Sequence, residues 1–188
     1  MVKSTLLFCL IVVIWPPQIT TLQSMTFQLE RVEQIGGQGL SDWQIRVRKF
    51  NRTTYSLNGT AILLQDLDDS YEVGVNYAYS SLGNNQFNEY PMKLPRKKVC
   101  RYMVEEYREY QHVWIGSSNT PQVDKGARVF CPFPKGTYWV RDMAPEADWI
   151  PPVVPTGLWR MTVGVWRGGD APVSQLVFYF RLTRKLMT

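Results

Sequence analysis

The sequence predicts a mainly β protein, an antiparallel β-sandwich that carries one α-helix. Three observations lead there. Apolar and polar residues alternate at period two through much of the chain beyond residue 40, the signature of half-buried strands. Glycine, proline, asparagine and aspartate break that alternation at short intervals, as they do between antiparallel strands. One stretch only, around residues 96–113, switches to helical spacing.

Trp43, Ile45 and Val47 alternate with Gln44, Arg46 and Arg48 in the first predicted strand. Residues 51–54 read as a turn. A second strand runs from Tyr55 to about Leu67, with Tyr55, Leu57, Ala61 and Leu63 on one face and Ser56, Asn58 and Thr60 on a wet one. After the polar turn at residues 66–70, Tyr71, Val73, Val75, Tyr77 and Tyr79 give a third strand with an aromatic and β-branched face. Residues 82–95, with Gly83-Asn84-Asn85 and two prolines, read as a loop. Val99, Met103, Tyr107, Tyr110 and Val113 then recur at three and four, while Arg101, Glu105, Arg108 and Glu109 fall elsewhere. That is one amphipathic helix over roughly residues 96–113, although the basic residues at its start oppose the helix dipole. Strand signals resume over residues 127–130 and, after the turn at 132–136, over 137–141. Residues 144–157, with four prolines, read as an extended loop. Trp159, Met161, Val163 and Val165 alternate with Arg160, Thr162 and Gly164, and Gly168-Gly169-Asp170 turns the chain. Leu176, Phe178, Phe180 and Leu182 form the apolar face of the last strand. Seven or so strands on short turns make an immunoglobulin-like sandwich.

The N-terminus sets the compartment. Met1-Val2-Lys3 precedes the apolar run LLFCLIVVIW, Leu6 to Trp15, which has the length of a signal-peptide core. A bilayer span needs about 20 residues, and Pro16-Pro17 ends this one. We expect a signal peptide over residues 1–24, cleaved between Gln18 and Ser24, and a single domain over 25–188. The protein is then secreted and extracellular. Cys9 leaves with the leader, so Cys100 and Cys131 have one possible pairing and an oxidising compartment in which to make it. The same compartment gives meaning to two acceptor sequons, Asn51-Arg52-Thr53 and Asn58-Gly59-Thr60. The formal net charge of +5 falls to +4 without Lys3. The basic residues are scattered apart from Arg96-Lys97-Lys98 and the tail residues Arg181, Arg184 and Lys185. Behind a leader this argues against nucleic acid and allows at most peripheral membrane contact through anionic head groups.

Catalytic and metal motifs are missing. His112 is the one histidine, at the end of the predicted helix, and cannot build a zinc site without further ligands. There is no G-x-S-x-G elbow. Gly36-Gly37-Gln38-Gly39 lacks the lysine-serine pair of a phosphate loop. The acidic run beginning at Asp66 places Tyr71 where a calcium loop needs glycine. We expect no enzyme activity, no metal and no cofactor.

Four segments together, NRTTYSLNGTAILLQDLDDSYEV (51–73), VCRYMVEEY (99–107), CPFPKGTYWV (131–140) and PTGLWRMTVGVW (155–166), resemble the CheB-like chemosensory proteins, a large family of small secreted insect proteins. That family is similar to the ganglioside activator and, more distantly, to the ML lipid-recognition proteins. The resemblance spans roughly residues 27–182. It implies a sandwich whose sheets splay around an apolar cup for lipids or long-chain hydrocarbon pheromones. It also implies a role in gustatory or pheromone perception, with a chemosensory receptor or channel as partner. The better-studied lipid-recognition relatives carry several disulfides, and this chain can form one, so cup shape and ligand do not transfer.

An apolar cup needs aliphatic and aromatic walls. The inward faces supply Tyr71, Val73, Val75 and Tyr77, then Trp139, then Trp159, Met161 and Val163, and finally Leu176, Phe178 and Phe180. The same residues would pack a solid core equally well. The helix, tethered through Cys100 to Cys131, would cover one end as a lid or as a plug. The expected function is a non-enzymatic carrier of lipid or hydrocarbon. The alternatives are a filled sandwich acting through its surface, for which Asp148-Trp149-Ile150-Pro151-Pro152 is the candidate contact, and an accessory that presents lipid to an enzyme.

Overall fold

The computed structural model describes residues 23–147, 150–151 and 153–186. The expected leader lies outside them, except that Gln23 and Ser24 open a strand. Eight strands follow in order: β1 (Gln23–Gly36), β2 (Ser41–Lys49), β3 (Tyr55–Leu63), β4 (Glu72–Ser80), β5 (Asn88–Lys98), β6 (Gly136–Met143), β7 (Gly157–Trp166) and β8 (Ser174–Leu186). They form a five-stranded sheet, β1-β8-β7-β4-β5, packed on a three-stranded one, β2-β3-β6. Every pairing is antiparallel. The fold is the expected mainly β, immunoglobulin-like sandwich.

Two strands differ from the sequence reading, each for a local reason. β1 carries a bulge between Leu29 and Arg31. Its inward residues therefore change parity, from Phe27 and Leu29 to Val32, and the strand hides from a period-two search. β5 occupies most of what reads as a loop. Its register against β4 slips twice, between Lys97 and Leu94 and between Lys93 and Glu89, and each slip contains one of its prolines, Pro95 and Pro91. A proline lacks the ladder donor, so an edge strand accepts it at a bulge. The converse also holds: residues 127–130 form no strand. The second predicted strand stops at Leu63, and Leu67 instead exchanges backbone hydrogen bonds with Phe133 at 2.8 and 2.9 Å.

The helix begins at Val99, not at 96, because Arg96–Lys98 still belong to β5. It runs as α over Val99–Tyr102, widens into a π turn over Met103–Tyr107, and closes through Arg108–Tyr110 and a 3-10 turn, Gln111–Val113. Its basic start is offset from outside. Asp69 Oδ1 accepts the Cys100 N–H at 3.1 Å, a long-range cap that also places a negative charge at the dipole's positive end. The Cys100–Cys131 disulfide, with Cα atoms 5.1 Å apart, pins the same end.

Three apolar clusters fill the sandwich. Val99 and Met103 of the helix meet Leu40, Tyr71, Val73 and Val123 at one end. Leu29, Ile45, Leu57 and Ala61 join the two sheets. Trp159, Phe180 and Leu182 meet Ile150 and Val154 of the 144–156 loop at the other end. Gly59 allows β2 and β3 to approach. Its φ is +144°, and an added Cβ would stand 2.1 Å from the Gln44 carbonyl oxygen. The Gly59→Ala variant should lose at least about 2 kcal/mol of stability from strain and collision, read as a lower urea midpoint at unchanged slope.

Candidate functional site

Ten of the eleven expected cup residues share the inner face of the larger sheet or its edge, and the register sets them in rows. Val75 pairs with Val163 and Val163 with Leu176; Tyr77 pairs with Met161 and Met161 with Phe178; Trp159 pairs with Phe180. The eleventh, Trp139, does not join them. Its neighbours Tyr138 and Val140 point into the inter-sheet cluster, so alternation turns Trp139 outward, where Arg141 Cζ lies 4.5 Å from its ring centre.

Burial divides the ten. Tyr71, Val73, Val75, Trp159, Leu176 and Phe180 are buried at 8% exposure or less and act as core. Trp159 is boxed by Tyr79, Tyr90 and Phe180, and its indole N–H donates to the Pro155 carbonyl at 3.0 Å. The other four, Tyr77, Met161, Val163 and Phe178, keep accessible surface although they point inward. They form the middle of the face. Tyr138, Val140 and Met143 of β6, on the opposing sheet, are also only partly buried.

The helix brings polar groups to this region. Burial pushes the Tyr77 phenol up to about 12, with Tyr110 adding to it. Burial raises Tyr102 as well, followed by the nearby Tyr77 and Glu106. Tyr77, Tyr102, Glu106 and Tyr110 thus form one neighbourhood between helix and sheet. Tyr107, by contrast, is satisfied: its hydroxyl donates to the Pro121 carbonyl at 2.7 Å. Among the described residues, neither Tyr77 nor Tyr102 makes a hydrogen bond through its hydroxyl. Lys97 Nζ donates to Glu105 Oε2 at 2.7 Å and to Glu106 Oε1. Glu106 Oε2 is enclosed and, among the described residues, has no hydrogen-bond partner. The sequence carried a signal for this residue. Glu106 stands seven after Val99 and three after Met103, a charge on the apolar stripe of an amphipathic helix.

A surface pocket lies at the end away from the helix. Met25, Thr26, Phe27, Phe50, Asn51, Thr54 and residues 144–147 line a surface pocket of about 390 Å³. Phe27 on its wall stacks on Phe180 at 4.6 Å, which closes it off from the sheet face.

The two sequons differ. Asn51 is exposed, and its Oδ1 accepts the N–H groups of Thr53 and Thr54 at 2.9 and 2.8 Å. Asn58 is half-buried and occupied: Nδ2 donates to Ser56 Oγ and Asp142 Oδ1, each at 3.0 Å. Its Oδ1 accepts the Asp142 N–H at 3.0 Å and so supports a residue held at φ 48°. The expected wet face of β3 is corrected here, since Ser56 is 1% exposed. On β2 the expected inward Trp43 is exposed, and Ile45 and Val47 alone turn to the core. Of the Asp148–Pro152 contact, Ile150 is corrected to core, at 8% exposure, and Asp148, Trp149 and Pro152 lie outside the described residues. His112 is an exposed residue whose Nδ1 lies 2.7 Å from the Glu109 carbonyl oxygen. Asp69, Cys100 and Cys131 cluster, but the sulfurs are bonded to each other and Asp69 caps the helix.

A family profile described as a protein of unknown function, DUF1091, matches residues 73–161. The chain is similar to that family over just under half its length. The matched stretch runs from β4 to Met161 and takes in the helix, the disulfide cysteines Cys100 and Cys131, and β5 and β6. A search of curated proteins finds no match. Among the described residues, no helix is long and apolar enough to cross a membrane.

The tyrosines give this region a pH signature. The folded Tyr77 pKa of about 12 lies above its ordinary value of 10. The unfolded chain therefore loses this proton first, and the group's contribution to stability, complete below pH 10, is lost as pH rises towards 12. Denaturant midpoints should fall over that window and fall less in Tyr77→Phe. Tyrosinate absorbance should show a late phase near pH 12 whose amplitude the same variant reduces.

Proposed function

We propose that this protein is a secreted, non-enzymatic carrier of lipid or long-chain hydrocarbon, of the CheB-like and ML-like kind, serving gustatory or pheromone perception through a chemosensory receptor or channel. One observation carries the reading. Tyr77, Met161, Val163 and Phe178 point into the sandwich and still keep accessible surface, on a face where Val73, Val75, Trp159, Leu176 and Phe180 are buried. Apolar side chains left so are the walls an apolar ligand would cover, with a gain of about 25 cal/mol per Å² removed from water. The disulfide supports the extracellular assignment. Asn51, exposed in its turn, is the accessible glycan acceptor. Asn58 is held by Asp142.

A surface-acting reading is favoured by Leu82 and Val153, at 82% and 81% exposure. Native mass spectrometry of protein secreted from insect cells, followed by lipid identification, separates the two. A carrier should show a reproducible bound mass of a few hundred daltons (about 20–30 heavy atoms) beyond the glycan. Phe178→Arg and Met161→Asp should each remove it while leaving a folded protein. A clean apo mass after incubation with lipids and hydrocarbons would instead favour the surface. Peptide mapping should find the glycan on Asn51, and Asn51→Gln should abolish most of the shift that glycosidase produces.

A further inference from the structure

Glu106 Oε2 is a carboxylate oxygen enclosed in protein with no donor to satisfy it. Buried acceptors of this kind are rare, and a charged one is costly. It sits on the π turn, the helical irregularity that recurs at functional sites. Tyr102, on the same helix, senses both Glu106 and Tyr77, and its side chain packs on the cluster that also carries Val163 of the sheet; among the described residues the Tyr77 and Tyr102 hydroxyls make no hydrogen bond. Beyond them the row becomes apolar, through Met161 and Phe178. The helix thus holds an enclosed acceptor that lacks a donor, and the apolar face beside the helix lacks a cover.

Resting on the carrier reading, we infer that the site takes an amphiphile whose single polar end donates a hydrogen bond to Glu106 Oε2, an alcohol or amine, with its aliphatic tail along Met161 and Phe178. A plain hydrocarbon would leave Glu106 unsatisfied. A fatty acid would set a second carboxylate against it, and Lys97 is already shared between Glu105 and Glu106.

The test is displacement of a fluorescent naphthylamine probe from the intact secreted protein by dodecane, 1-dodecanol, dodecylamine and dodecanoate. The alcohol and the amine should bind about tenfold tighter than the alkane and the carboxylate, the size of one charge-assisted hydrogen bond. Glu106→Leu should bring alcohol and alkane within about threefold of each other while alkane binding persists. Should that variant fail to fold, the near-isosteric Glu106→Gln should admit dodecanoate and lose the amine preference. Equal binding of alkane and alcohol by the unmodified protein, or a Glu106 variant with an unchanged ratio, would overturn the inference and leave the carrier reading standing. Failure of all four probes to bind would remove both.

Discussion

Five strands facing three is the constraint on which the rest of this structure depends. The smaller sheet cannot cover the larger, so part of an apolar face must be closed by something else. The helical segment does this at one end, where Val99 and Met103 seat on Tyr71 and Val73. The proline-rich loop does it at the other, where Ile150 and Val154 seat on Trp159. The middle of the face lies between these two closures, and Tyr77, Met161, Val163 and Phe178 there stay partly open. The disulfide and the Asp69 cap serve the same end, because a short helix that is half π and 3-10 has little stability of its own and takes its position from its anchors.

What the sequence made legible follows the regularity of the chain. β4, β7 and β8 alternate without interruption on their inner faces, so their ladder rows could be written down from the pattern. β1 and β5 could not, because a bulge shifts the parity of one and two prolines interrupt the other. The helix was visible by its period but not by its start, since Lys97 and Lys98 look alike as strand end or first turn. Trp139 shows the limit of apolar character as a guide. Beside Arg141 an outward tryptophan is shielded by a guanidinium, and nothing in its residue type distinguishes that from a place in the core. Glu106 shows the opposite case. The apolar residues define the helical stripe, and the acidic residue on it is the more informative one, because a charge on a buried stripe is rare.

Polar groups inside the sandwich are graded by how well they are met. Tyr107 and Trp159 each have a carbonyl to donate to, and they rigidify the ends. Among the described residues the Tyr77 and Tyr102 hydroxyls and Glu106 Oε2 have no such partner. Satisfied groups fix the frame, and unsatisfied ones mark where the frame was left for something else to complete.

The awkward prolines of β5 have a consequence for behaviour in a crowded fluid. An edge strand offers free amides and carbonyls to any other strand it meets. Here Pro91 and Pro95 remove two donors, the two slips in register interrupt the line, and Lys93 adds a charge. The edge of β6 meets Ser118 through a bridge at Val140. Along β5, then, a second copy of this protein finds a poor template on which to extend the sheet.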